Sequence, residues 1–139
     1  MKINKLKLFG ALVAGAVLAL TACGGSVPEP EHTLEERVLA RWDYRIQRDF
    51  ESAWEYYSPG FRQTNPREEF VRDSARRPVR WHSVELEWIE CENEKLCQVR
   101  VEVVFQALGA PSGMSRMRVP QRLTETWIRI DGEWWFSPN

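Results

Sequence analysis

Histidine is scarce: His32 and His82 are the only two in 139 residues. A metal site built on histidines is excluded, and we expect neither a metal nor a cofactor. Cysteine occurs three times, with no pair at the two-residue spacing of redox motifs. A basic excess is also missing. Lys and Arg total 19 against 20 Asp and Glu, and three of the lysines crowd the N-terminus, so the rest of the chain is net acidic. A nucleic-acid binder normally carries a basic surplus, and no nucleic-acid partner is expected. The one long apolar run, Leu8–Leu20, spans ~20 Å as a helix, short of the ~30 Å of a bilayer core. Aromatic residues, by contrast, are plentiful. Seven Trp within 43% hydrophobic residues make a core-building composition rather than a disordered one.

Lys2, Lys5 and Lys7 precede that apolar run, and Leu20-Thr21-Ala22-Cys23 follows it. A positive start, a short apolar stretch and small residues before a cut are the secretory pattern. The closing four residues resemble the bacterial lipobox. That resemblance implies cleavage before Cys23 and lipidation of its thiol, with palmitate-type chains anchoring the protein stably once more than one is attached. The expected organisation is a leader over 1–22, lipidated Cys23 with a Gly/Pro/acid tether to residue 32, and one domain over 33–139. Gly24 stands where an Asp would imply retention in the inner membrane. The expected location is the bacterial envelope, in a Gram-negative cell the outer membrane facing the periplasm.

Thr33-Leu34-Glu35-Glu36 is a capping-box pattern. Leu34, Val38, Leu39, Trp42 and Ile46 then recur at helical spacing, with Arg37, Arg41, Arg45 and Arg48 expected mostly off that stripe. Asp49 can cap a second helix over Phe50–Tyr57, stopped by Ser58-Pro59-Gly60. Asn65-Pro66 opens a third, which must end before Pro78. Beyond residue 79 the period falls to two. Val84, Leu86 and Trp88 share one phase, as do Val99, Val101, Val103 and Phe105, and Leu123, Glu125 and Trp127. Asp131-Gly132 is a hairpin signal leading into Glu133-Trp134-Trp135-Phe136. Residues 109–118 read as a loop. Three helices followed by four antiparallel strands make an α+β plan.

Cys91 and Cys97 flank a short turn between two of these strands. In an exported chain such a pair becomes a disulfide, and a hairpin brings the two within bonding distance. We expect a structural staple.

The run RDFESAWEYYSPGFR after a first helix, together with the closing WIRIDGEWWF hairpin, resembles the nuclear transport factor 2-like superfamily over roughly residues 34–137. The resemblance implies a strongly curved sheet wrapped around the helices as a cone, with a pocket at its wide end and pairing through the outer sheet face. It also implies where catalytic groups would sit in the isomerase and dehydratase branches. Residues 58–67 and strand 97–108 lack the Asp that the isomerase branch needs, and His82 alone cannot supply the dehydratase pair. His82 and Glu125 remain as candidate pocket bases. Trp42, Trp54, Tyr57, Phe61, Trp88 and Trp127 are candidates to line a pocket for a small apolar ligand. The expected function is an envelope-tethered binding or scaffold domain without a catalytic centre. It would serve a small ligand, a second copy of itself or another envelope protein. The alternative is an isomerase- or dehydratase-like enzyme using Glu125 or His82.

Overall fold

The computed structural model describes residues 32–109, 111 and 113–138. The leader, Cys23 and the tether up to residue 31 lie outside the described residues.

Helix α1, Leu34–Gln47, opens on a complete capping box. The Thr33 hydroxyl accepts from the Glu36 N–H at 3.2 Å, and the Glu36 carboxylate accepts from the Thr33 N–H at 2.8 Å. The helix closes at Arg48, whose left-handed φ of 63° turns the chain. Asp49 caps α2, Phe50–Trp54, by accepting from the Ser52 N–H at 3.0 Å. The helical half differs from expectation in its middle. Ser58-Pro59-Gly60 starts a helix rather than stopping one. Ser58 caps α3, Pro59–Thr64, and Pro59 sits in its first turn, where a missing N–H costs nothing. Asn65, expected to cap the next helix, instead donates back to the Phe61 carbonyl at 3.0 Å, and α4 covers Arg67–Arg76. Among the described residues there are thus four α-helices before the sheet.

Four antiparallel strands follow in the order β1 (Val79–Asn93), β2 (Leu96–Ala107), β3 (Val119–Ile130) and β4 (Glu133–Ser137). Alternation on β2 buries Cys97, Val99, Val101 and Val103 completely. These pack with Leu34, Val38 and Trp42 of α1 and with Trp127 and Trp134, so the core lies between α1 and one face of the sheet. Asp131 and Gly132 take φ values of 52° and 87°, the pair of positive values that a two-residue hairpin requires. The sheet is extended at β4, where Tyr57 forms a parallel bridge with Phe136. Tyr57 has therefore left α2, which is shorter than its apolar spacing suggested. A single 3₁₀ turn, Met114–Arg116, sits in the loop between β2 and β3.

Register shifts interrupt β1 between Trp81 and Ser83, between Leu86 and Trp88, and between Cys91 and Asn93. Each bulge adds a residue, bends the strand and inverts the phase beyond it. Ile89, not Trp88, therefore lies opposite buried Val99. Trp88 lies opposite Arg100, whose guanidinium stacks on its ring at 5.0 Å. The simple alternation of Val84, Leu86 and Trp88 does not survive the bulge.

Cys91 and Cys97 are direct cross-strand partners joined by a disulfide around the Glu94-Lys95 turn. Replacing both by Ala is expected to cost about 2–3 kcal/mol in urea unfolding. Intact protein should weigh two hydrogens less before reduction than after. Free thiols at both positions in protein isolated without reductant would contradict the pairing.

Candidate functional site

Residues 34, 38, 41 and 45 are spaced to share one face of α1. Arg41 is therefore turned inward with Leu34 and Val38 and is fully buried. Sequence reasoning set it off the stripe because arginine is rarely interior. Its counter-charge comes from β3. Glu125 is 5% exposed and pairs with the Arg41 Nη2. The carboxylate also accepts from both indoles: Trp42 Nε1 reaches Oε1 at 2.9 Å and Trp127 Nε1 reaches Oε2 at 3.1 Å. Arg41 Nη1 faces the Tyr57 hydroxyl at 3.4 Å, and the guanidinium lies 3.9 Å from the Phe136 ring centre. Glu125 is thus held by three N–H donors inside an aromatic box. A carboxylate so fully engaged is poorly placed to take a proton from a ligand.

Next to this box, α1, α3, α4 and β4 enclose a cleft of about 350 Å³. Tyr57, Phe61, Phe70 and Phe136 form its aromatic wall, with Tyr57 stacked on Phe61 at 4.7 Å and edge-on to Phe70 and Phe136 at 4.9 and 5.0 Å. Arg45 and Arg77 reach it from α1 and the end of α4, and Glu69, Asp73 and Ser74 line it from α4. Burial pulls the Arg45 guanidinium down to about 10; Arg41 and Arg77 add to the shift, and Tyr57 and Glu125 oppose it. The group remains a cation at neutral pH. It lies 4.7 Å from the Trp42 ring centre and 5.3 Å from that of Trp81. Its Nε is buried without a hydrogen-bond partner.

The residues proposed from sequence are distributed among these places. Tyr57 and Phe61 line the cleft. Trp42 and Trp127 are buried against Glu125 and do not line it, because their indole N–H groups are committed inward. Trp54 donates to the Asn65 carbonyl at 2.9 Å and lies under Arg62 and Arg67. Trp88 is turned away from the core by the bulge. His82 sits at the first bulge of β1 and pairs at 3.0 Å with Gln106, which lies on the outward phase of β2. Glu125 and His82 therefore do not converge. Sequence reasoning missed Phe70 and Phe136 of the cleft wall, and also Arg41 and Arg45, for which the available signal was their spacing of three and seven from Val38.

No protein family profile matches the chain, and no curated protein matches its sequence. Solved structures do match in shape. A SEC-C motif containing protein from Rhodopseudomonas palustris superposes with a TM-score of 0.59 at 15% identity, covering 76% of each chain. A Campylobacter jejuni protein named as a nuclear transport factor 2-like transpeptidase gives 0.54 at 13% identity, over 78% of this chain and 100% of that one. Identities this low speak to fold alone. The chain has a nuclear transport factor 2-like α+β fold.

The buried pair generates a prediction. Arg41→Met strands Glu125 in the core, and Glu125→Gln strands Arg41; each should cost about 3–5 kcal/mol in urea unfolding. In Arg41→Met/Glu125→Gln no charge is stranded, and the amide oxygen can still accept from one of the two indoles. The double variant should then be more stable than the sum of the single losses by at least about 1 kcal/mol. Strictly additive losses would show that the two groups do not interact.

Proposed function

We propose that the protein is an envelope-tethered domain that binds a small ligand in the cleft between α1, α3, α4 and β4, and that it carries out no chemistry. The aromatic-walled cleft carries this reading. Its volume falls at the lower end of the ~300–1,000 Å³ range of small-molecule sites, and a few polar groups converge on its apolar wall. The enzyme alternative is disfavoured by the state of its two candidates, since Glu125 is saturated with donors and His82 pairs elsewhere. The outer sheet face is the other candidate contact surface. There Glu85 and Glu102 lie opposite each other, and Arg122 bridges Glu87 and Glu102. So polar a face favours the cleft over a sheet-to-sheet dimer as the functional surface.

The tether is supported by the Leu20-Thr21-Ala22-Cys23 pattern. Cys23→Ser is expected to release the protein from the membrane fraction of cells that retain the wild type there. Retention of the variant in the pellet would refute lipid anchoring.

Binding is tested on full-length protein in a non-ionic detergent by saturation-transfer NMR. The probes are phenylpropionate, its amide and phenylpropylamine. At least one should bind, and binding should be lost in Ser74→Trp, which fills the cleft from α4. Binding that persists in a folded Ser74→Trp protein would reject the cleft as the site, as would the absence of binding by all three probes.

A further inference from the structure

A buried guanidinium normally has a carboxylate beside it, because an unpaired interior charge is costly. On α1 the two inward arginines differ in this respect. Arg41 has Glu125. Arg45, one helical turn further on, has no carboxylate within 4.0 Å among the described residues, although the Nε of both arginines is buried without a hydrogen-bond partner. The Arg45 guanidinium lies 4.7 Å from the Trp42 ring centre and 5.3 Å from that of Trp81, aromatic neighbours that accommodate its charge without neutralising it. That residue lines the aromatic cleft.

The other charges around the cleft narrow the complement. Arg77 is exposed at the end of α4 and adds a second cation. Glu69 and Asp73 are exposed on α4, at the rim rather than in the interior, and Asp73 is drawn to Arg72 at 3.6 Å. A multiply charged anion would meet these two carboxylates on the way in. A single negative charge that penetrates to Arg45 would be matched there and would leave its apolar body against Tyr57, Phe61 and Phe70. The planar fork of Arg45 suits a carboxylate, which can accept two parallel N–H bonds.

Resting on the binding function proposed above, we propose that the cleft is a carboxylate site: its ligand is a small monocarboxylic acid with a flat apolar body, and Arg45 is the group that receives the carboxylate. The geometry explains why an arginine without a protein partner is kept in this position. It is an incomplete ion pair whose second half arrives with the ligand. Partial burial of the Arg45 charge, which costs the free protein some stability, becomes the source of selectivity when the acid binds.

The same three probes distinguish this proposal from the broader one. They share a body and differ in charge: phenylpropionate is an anion, its amide is neutral and phenylpropylamine is a cation. On the wild type, phenylpropionate should bind at least about tenfold more tightly than the amide, the difference expected of a charge-assisted pair. Arg45→Met keeps the length and apolar stem of the side chain and removes the charge. In that variant the acid should lose its advantage while the amide binds as before. Because no protein carboxylate is orphaned, its urea midpoint should not fall as it does for Arg41→Met. Arg45→Lys, which keeps the charge but not the fork, should fall between the two. Equal binding of acid and amide by the wild type would overturn the carboxylate assignment while leaving the cleft as a binding site. An acid preference that survives in Arg45→Met would assign it to another cation, and would overturn the role given to Arg45. If no probe binds at all, the cleft itself fails, and with it both readings.

Discussion

The ion pair between Arg41 and Glu125 ties the helical half of the domain to the sheet. Its two members lie 84 residues apart, one on α1 and one on β3, and both are out of water. A buried pair of this kind adds little net stability over apolar residues of the same size. Its effect is on uniqueness. If β3 slipped by one residue against β2, Glu125 would turn to the outer face and Arg41 would be left unpaired in the core. If α1 rotated on the sheet, Trp42 Nε1 would lose its acceptor as well. Alternative packings thus each carry a stranded charge, and the observed register is the one that leaves none at this point.

The aromatic residues make that pair tolerable. Trp42 and Trp127 supply both a hydrogen-bond donor to the carboxylate and an apolar surface against the valines of β2. Phe136 and Tyr57 cover the guanidinium. Tyr57 can take part only because the chain leaves α2 after Trp54 and pairs with β4, where Ser58 N–H donates to the Phe136 carbonyl at 2.8 Å and Phe136 N–H donates to the Tyr56 carbonyl at 2.8 Å. The same departure sends the chain into α3, and so places Phe61 beside Tyr57. Core box and cleft therefore share a wall, with one side of Tyr57 in each.

Local chemistry was readable in the sequence and long-range chemistry was not. The capping box at Thr33–Glu36, the Asp49 cap and the Asp131-Gly132 turn depend on residues within three positions of each other, and the structure has each of them. The order of helices before strands followed from the change of period near residue 79. Ser58-Pro59-Gly60 was ambiguous, because residues that end a helix can also begin one, and the next residues decide which. The bulges in β1 were invisible: no Gly marks them, and they show only in the pairing of β1 with β2. That single feature moved Trp88 out of the candidate pocket and Ile89 into the core. Arg41 escaped because its partner sits in another element, and only the contact between α1 and β3 explains how an arginine can be interior there.

Arg41 and Arg45 lie one turn apart on one helical face, close to the same ring of Trp42, and yet meet different chemistry. The difference comes from the sheet beneath them. β3 presents Glu125 at the level of Arg41. At the level of Arg45 the sheet offers Trp81, which lies beside the guanidinium but cannot neutralise it. Stacking on an aromatic face accommodates a cation and leaves its N–H edge unspent. The helix that fixes the fold through its first inward arginine therefore presents, through its second, a charge to whatever enters the cleft. Any change that rotates α1 to improve the neutralisation of Arg45 would pull Arg41 from Glu125. The unpaired cation is thus maintained by the same constraint that makes the fold unique.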